Sequence, residues 1–314
     1  MRALVTGGAG FIGSHVVELL LAKGHRVAVI DDLSTGKREN LPPGVQFYRL
    51  SLLDSQLPDI IRQIEPDVVF HEAAQVKVSR SLADPVQDAR INIEGSLRLL
   101  EACREAGLPK VVYASSAAVY GEPQAVPLPE EHPLAPLSPY GLSKLTVERY
   151  LAIYHVLYGL HYAVLRYANV YGPRQDSSGE GGVVAIFADR VVRGKPLVIF
   201  GDGSQTRDFV YVGDVAAANL RAANPELPGE LVVNVGTGRE ISVNELARTL
   251  AEQAGSDLPF VYEAPRPGEI QRSSLANGRA VSVLGWQPAT TLAEGLAKTL
   301  TWYREHGLPG IPEK

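Results

Sequence analysis

Residues 3–13 read Ala3-Leu4-Val5-Thr6-Gly7-Gly8-Ala9-Gly10-Phe11-Ile12-Gly13. A short apolar run passes straight into Gly8-x-Gly10-x-x-Gly13, and the amphipathic segment that follows predicts a helix from Ser14 to Lys23. The glycines therefore sit where a strand turns into a helix, the context a dinucleotide fingerprint requires. One glycine permits the sharp turn, a second lets backbone approach a pyrophosphate, and a third lets helix and strand pack closely, with the phosphates on the positive helix N-terminus. Gly7 adds a second spacing, Gly7-x-x-Gly10-x-x-Gly13. The next predicted strand, Arg26 to Ile30, ends in Asp31, and a carboxylate about 20 residues beyond the fingerprint suits ribose hydroxyls. Asp31 repels a 2′-phosphate, so NAD is expected over NADP; Lys37 and Arg38, close in sequence, pull the other way.

Outward from this stretch, strand and helix alternate. Val45 to Leu50, Asp67 to Glu72, Lys110 to Ser116 and His161 to Tyr167 read as strands, and Ser55 to Glu65, Ala89 to Ala106 and Pro139 to Tyr158 as helices. That order predicts an α/β chain with a Rossmann-like, doubly wound parallel sheet, its ligand lying at the carboxyl ends of the strands. From about Arg174 glycine and proline become denser and segments shorten. Residues 1–173 are expected to form an NAD-binding domain, and 174–314 mainly a smaller α/β substrate-binding region with segments returning to the first. Gly236-Thr237-Gly238, ahead of a helix expected at Val243 to Ala254, is either a phosphate cradle or a simple turn.

The composition narrows the class. Of 314 residues, 45% are hydrophobic and 21% charged, with a formal net charge of -5, which suits an ordinary globular protein and gives no basis for nucleic-acid binding. Cys103 is the single cysteine. Disulfides and thiolate metal sites are excluded as frameworks, no metal site is expected, and Cys103 reads as a packed helical residue. No run is long enough to span a bilayer, and the chain enters a strand without a leader, so a cytoplasmic enzyme is expected.

The predicted helix at Pro139 carries the chemistry. Ser138 suits the N-cap and Pro139 the first helical position. Tyr140 and Lys144 then lie four residues apart on one face. A phenol has a pKa of about 10 and is a poor base at neutral pH; a nearby ammonium and a positive nicotinamide ring favour its phenolate. Read alone, the pair is equally an exposed aromatic and a solvated lysine. Its place after a dinucleotide fingerprint and after Ser115-Ser116 at a strand end favours the catalytic reading.

With these residues the chain resembles the NAD-dependent nucleotide-sugar epimerases of the extended short-chain dehydrogenase/reductase family over nearly its whole length. The carriers are the stretches 6–13, Asp31-Asp32-Leu33-Ser34, His71-Glu72-Ala73-Ala74, 114–121, 138–144, 165–173, 207–214 and Arg266-Pro267-Gly268-Glu269. The resemblance implies that Ser116 hydrogen-bonds the reacting 4-hydroxyl, that Tyr140 is the general base, and that Lys144 binds the nicotinamide ribose and tunes the tyrosine. Around the cofactor it places Gly7, Gly10, Phe11, Ile12, Gly13, Asp31, Asp32, Ser51, Leu52, Ala73, Ala74, Asn92, Ser115 and Tyr167 as well. Toward the substrate it places Asn169, Val183, Arg207, Arg266, Glu269 and Ser273, with the two arginines on the diphosphate; read alone, each arginine is equally a salt-bridge partner. Asn92 is equally a buried polar packing residue.

The reaction implied is a 4-epimerisation of a UDP-sugar, UDP-glucose to UDP-galactose and back, through a 4-keto intermediate and without net redox change. Epimerases of UDP-glucuronate or other nucleotide sugars are the nearest alternative. A 4,6-dehydratase carries an Asp-Glu pair, and a sugar-acid decarboxylase a glutamate, where this chain has Ala117-Ala118, and alanine transfers no proton. A non-catalytic NAD-sensing regulator shares the fold but loses the tyrosine or lysine that stand here. Two departures are plain: Leu50-Ser51 replaces a Gly-Asp pair whose aspartate contacts adenine, and Ala276-Asn277-Gly278-Arg279-Ala280 replaces Asp-x-Ser-Lys-Ala. The resemblance further implies that Ser273, small at the position where a bulky tyrosine restricts the site in family members, leaves room for N-acetylated sugars. The family also implies a homodimer through helices 89–106 and 142–158 of each subunit.

Overall fold

The structure, a computed structural model, describes residues 1–107, 109–178, 182–257, 259–265 and 270–306. Its elements run β1 (Arg2–Thr6), α1 (Phe11–Ala22), β2 (Arg26–Asp31), β3 (Gln46–Arg49), α2 (Leu57–Ile64), β4 (Val68–His71), α3 (Val78–Ala83), α4 (Pro85–Ala89), α5 (Gly95–Glu105), β5 (Lys110–Ser116), α6 (Pro139–Tyr158) and β6 (Tyr162–Tyr167). There follow β7 (Asn169–Tyr171), α7 (Val183–Val192), β8 (Leu197–Phe200), β9 (Thr206–Arg207), β10 (Phe209–Tyr211), α8 (Val212–Ala222), β11 (Glu230–Val235), β12 (Ile241–Ser242), α9 (Val243–Ala254), β13 (Phe260–Glu263), α10 (Gly278–Leu284) and α11 (Leu292–Glu305).

Seven parallel strands form the main sheet in the order β11-β6-β5-β4-β1-β2-β3. Strands such as Val68–His71 are buried throughout, as a parallel sheet covered by helices on both faces requires. One apolar cluster lies on the α1 and α8 face, with Val17, Leu20 and Val215; a second lies on the α5 and α6 face, with Leu99, Val147 and Leu151. Strand order reverses between β1 and β4, and a crevice at the carboxyl ends there is the expected ligand position. β11, from the later part of the chain, pairs with β6 in register from Glu230↔Tyr162 to Val235↔Tyr167.

A third cluster, around Phe187, Leu197, Leu246 and Leu300, holds α7, α9, α11 and the paired β8 and β13 together. Short pairs β7 with β10 and β9 with β12 connect it to the sheet's crevice.

Three helix starts differ from expectation; α2 begins at Leu57, two residues after Ser55. The first helix starts at Phe11, not Ser14, so Gly13 lies inside its first turn. The helix expected from Ala89 starts at Pro85 instead, capped by Asp84, whose carboxylate accepts from the Gln87 amide at 2.9 Å. A wider π turn over Arg90–Glu94 then leads into α5. A proline at the first helical position and an aspartate before it explain the early start. α3 had no counterpart in the expected order.

Candidate active site

The fingerprint turn permits glycine where it matters. Gly7 has φ +68°, and a Cβ there would lie 2.6 Å from the Ala73 amide nitrogen. A Cβ on Gly13 would lie 2.2 Å from the Gly7 carbonyl oxygen. Backbone thus packs against backbone between β1, α1 and the loop after β4. No side chain caps α1, so its first amides are free of the intrahelical partners that later turns have, an arrangement suited to a pyrophosphate.

Asp31, 7% exposed, stands at the end of β2. Its carboxylate accepts from the Ala9 amide at 2.9 Å and the Leu33 amide at 2.8 Å, bracing the turn against the next loop. Burial raises its pKa while both amides oppose the shift. Asp32 is exposed and accepts from Ser34. Beyond β3, Ser51 accepts from the Leu53 amide and Leu52 is buried beside Gly95. The residues present fit a dinucleotide: a glycine cradle, an uncapped helix start and a carboxylate at the second strand.

Asn92 is braced internally. Its Oδ1 accepts from the Gln75 amide at 2.8 Å, and its Nδ2 donates to Gln75 O, Asp88 Oδ1 and Ser143 Oγ at 3.0, 3.2 and 3.0 Å. The π turn therefore ties the loop bearing Ala73 and Ala74 to α6. Asn92 is 2% exposed and held by these partners. Asp88 Oδ2, also buried, has no partner among the described residues.

Ser138 caps α6 as expected, accepting from the Gly141 amide at 3.1 Å. Tyr140 follows, half-buried, facing the end of β5. Its hydroxyl hydrogen-bonds Ser116, which also accepts from the Ala118 amide at 3.2 Å. Lys144, 3% exposed, lies one turn on. Its Nζ donates to the Ala114 carbonyl at 2.7 Å and sits 6.0 Å from the Tyr140 ring centroid.

The electrostatics of the protein groups set the starting point for Tyr140. Burial pushes the Tyr140 phenol up to about 12, the Ser116 hydrogen bond opposing and Asp88 adding to the rise. Burial likewise brings Lys144 down to about 8. The ammonium is engaged with a carbonyl, and it is the added positive charge of an oxidised nicotinamide that would favour the phenolate over the phenol here.

Ser115, expected beside the cofactor, donates its hydroxyl to Glu148 Oε1 at 2.5 Å. Glu148 also pairs with Arg166 at 2.6 Å, with both side chains 5% exposed. Strand spacing did not reveal this pair, because it joins α6 to β6. Burial takes His71 down to about 3, so its neutral ring bridges Thr6 Oγ1 and Ser96 Oγ, each at 2.8 Å. Tyr167 Oη donates to Glu72 Oε1 at 3.0 Å.

On the far side of the crevice, Asn169 begins β7 and its amide donates to Asp208 O. Arg207, half-buried, precedes Asp208 and pairs in register with Ile241. The Thr206 amide donates to Gln271 O, which brings half-buried Ser273 alongside; Val183, also half-buried, starts α7. Arg266 and Glu269 lie outside the described residues. Gly236-Thr237-Gly238 is a braced turn: Asp208 accepts from the Thr237 and Gly238 amides and from Thr237 Oγ1. Asp208, inside a stretch whose arginine alone attracted a role, also accepts from the Leu275 amide. Next to β9 is a cavity of about 720 Å³ lined by Phe200, Gln205, Tyr262, Pro265 and Gln271, none of them expected from the sequence.

The chain matches the NAD dependent epimerase/dehydratase family over residues 3–236. It is 48% identical over 310 residues to the UDP-glucose 4-epimerase of Mycolicibacterium smegmatis, an alignment covering 97% of this chain and 99% of that one. Its structure is similar to that of the Thermotoga maritima UDP-glucose 4-epimerase with UDP-glucose, with TM-score 0.94, 47% identity and coverage of 97% and 99% of the two chains. The UDP-N-acetylglucosamine 4-epimerase of Methanobrevibacter ruminantium M1, in complex with UDP-N-acetylmuramic acid, matches at TM-score 0.93 and 38% identity, covering 97% and 98%. Glycine cradle, Ser-Tyr-Lys constellation and full-length similarity agree: the chain belongs to the NAD dependent epimerase/dehydratase family.

Proposed function

We propose that this chain is an NAD-dependent 4-epimerase that interconverts UDP-glucose and UDP-galactose. The observation that carries the reading is Tyr140 hydrogen-bonded to Ser116 at the end of β5, with Lys144 one turn behind and Ala117-Ala118 where dehydration needs an acid and a base.

Bound NAD supplies the hydride acceptor and, after the sugar has turned, the hydride donor. Ser116 holds the 4-hydroxyl while Tyr140 takes its proton, and the same phenol returns a proton as the hydroxyl re-forms on the other face. Because the proton leaves and returns at one oxygen, no path to solvent is needed. Gly7, Gly10, Phe11, Ile12 and Gly13 cradle the pyrophosphate, Asp31 and Asp32 the ribose, and Lys144 the nicotinamide ribose. Asn169, Arg207 and Arg266 are assigned to the diphosphate, and Val183 and Glu269 to the substrate. Phe200 and Tyr262 give the adjoining cavity aromatic walls suited to a pyrimidine ring. A firm nucleotide anchor with a loosely held sugar lets remote binding energy support chemistry on either face.

Small, half-buried Ser273 favours acceptance of N-acetylated sugars as well. The division at residue 173 places cofactor on the first part and substrate mainly on the second. Among the described residues no helix is long and apolar enough to cross a membrane; with a single buried thiol at Cys103, that supports a cytoplasmic enzyme. Exposed Leu82 and Val86 of α3 and α4, with Leu142, Ile153, Val156 and Leu157 of α6, form an apolar face that supports a homodimer.

The test is proton NMR of the purified protein with UDP-galactose and no added NAD. UDP-glucose appears, and Tyr140→Phe abolishes it while bound NAD is retained. UDP-galactose unchanged by a protein that holds NAD contradicts the substrate assignment and moves it to another nucleotide sugar, UDP-glucuronate first.

A further inference from the structure

One carboxylate at the carboxyl ends of the central strands has no part in the chemistry above. Glu72 follows β4 directly, and its carbonyl carbon lies 2.9 Å from where a Cβ on Gly7 would stand, so its main chain touches the fingerprint turn. Its side chain reaches toward β6, where Tyr167 Oη donates to Oε1 at 3.0 Å. Asn219 Nδ2 of α8 donates to that same phenol at 2.7 Å, which commits the phenolic proton to Glu72. Tyr167 is the register partner of Ser116, so the carboxylate spans from β4 to β6 past the strand end that carries the catalytic serine. Burial raises Glu72 to about 7, while the Tyr167 hydrogen bond and the Lys144 charge oppose the rise.

An anion beside a pyrophosphate is unfavourable unless a cation compensates it. Lys144 is one such cation; the oxidised nicotinamide ring is another. The reduced cofactor carries one more negative charge than the oxidised one, so a fixed anion in the site favours NAD over NADH, whereas Lys144 favours NADH. We propose that Glu72 is the charge partner of the nicotinamide end of the cofactor, and that Glu72 and Lys144 together poise the bound cofactor with its oxidised form as the resting state. This rests on the epimerase reading, in which every turnover must end with NAD. With Lys144 alone, NADH is held too well, and a 4-keto sugar that escapes leaves a reduced, inactive enzyme.

The experiment is sugar-free. NADH bound to the protein is followed by its fluorescence while NAD is titrated in, giving the ratio of the two affinities for wild type, Glu72→Gln and Glu72→Asp. Glu72→Gln shifts the ratio toward NADH by about three- to tenfold, and Glu72→Asp, which keeps the charge, stays near wild type. An unchanged ratio in Glu72→Gln overturns the proposal, as does an equal shift in both variants, which assigns the effect to packing. Where Glu72→Gln does not fold, the wild type decides: as pH falls from about 7 to 5.5, protonation of Glu72 moves the ratio toward NADH, and a flat ratio overturns the assignment. In that window Lys144 keeps its charge, Tyr167 its proton, and His71 stays neutral. A protein that fails to epimerise UDP-galactose still reports this ratio, so the two readings fail separately.

Discussion

Lys144 Nζ is anchored on the Ala114 carbonyl at 2.7 Å, and burial takes its pKa from 10.5 down to about 8. The folded chain therefore releases this proton before the unfolded chain does. Below about pH 8 the buried ammonium opposes folding in full, and that opposition fades as pH rises toward 10.5. Lys144→Met is expected to raise the stability of the cofactor-stripped protein at neutral pH by about 1–3 kcal/mol and to lower kcat at least ~100-fold. Urea unfolding and steady-state kinetics on one preparation measure both; a variant that is both less stable and fully active contradicts the placement.

Ser116 is bonded to Tyr140 and, in the proposed reaction, both tunes it and holds substrate. Its hydrogen bond is the group that lowers the phenol's pKa against burial. Ser116→Ala is expected to move the acidic limb of the kcat profile to higher pH by about one unit. A profile that drops in height without moving removes the tuning role.

Gly7 admits no side chain. With φ +68° and a Cβ only 2.6 Å from Ala73 N, Gly7→Ala forces the turn and the loop after β4 apart. The variant is expected to lose about 1–3 kcal/mol of stability and to purify without NAD, which absorbance after denaturing release detects. A fully loaded Gly7→Ala protein contradicts the cradle.

Glu148 and Arg166 form a buried pair with Ser115 and Tyr120 attached. Removing one partner leaves an unpaired buried charge, so Arg166→Met is expected to cost about 3–5 kcal/mol. Glu148→Leu with Arg166→Met recovers much of that loss. Additive losses in the double variant, read from urea midpoints, contradict the pairing.

The proposed homodimer would cover the exposed apolar residues of α6, Val156 and Leu157 among them. Val156→Asp with Leu157→Asp is expected to convert a dimer to monomers in sedimentation without changing the circular dichroism. Wild-type protein that sediments as a monomer overturns the assembly.

What the sequence revealed follows from distance along the chain. The Gly7-to-Gly13 turn, the Ser138-Pro139 helix start and the Tyr140–Lys144 spacing are local, and periodicity with capping chemistry is enough to place them. The anchoring of Lys144 on Ala114, the Glu148–Arg166 pair and the Glu72–Tyr167 contact join residues brought together by β5, α6 and β6, and spacing carries no trace of them. Asn92 shows the same limit: its four polar contacts depend on a π turn that no residue pattern announced. α3 and α4 escaped because their exposed apolar residues do not follow the stripe of a core-facing helix.

The central claim is that one hydride leaves C4 and returns to it within the site. UDP-galactose carrying deuterium at C4 tests it most directly. The expected product is UDP-glucose with the deuterium still at C4 and none in the water. Deuterium lost to solvent during epimerisation contradicts hydride transfer between C4 and the bound cofactor, and with it the function assigned to the fold.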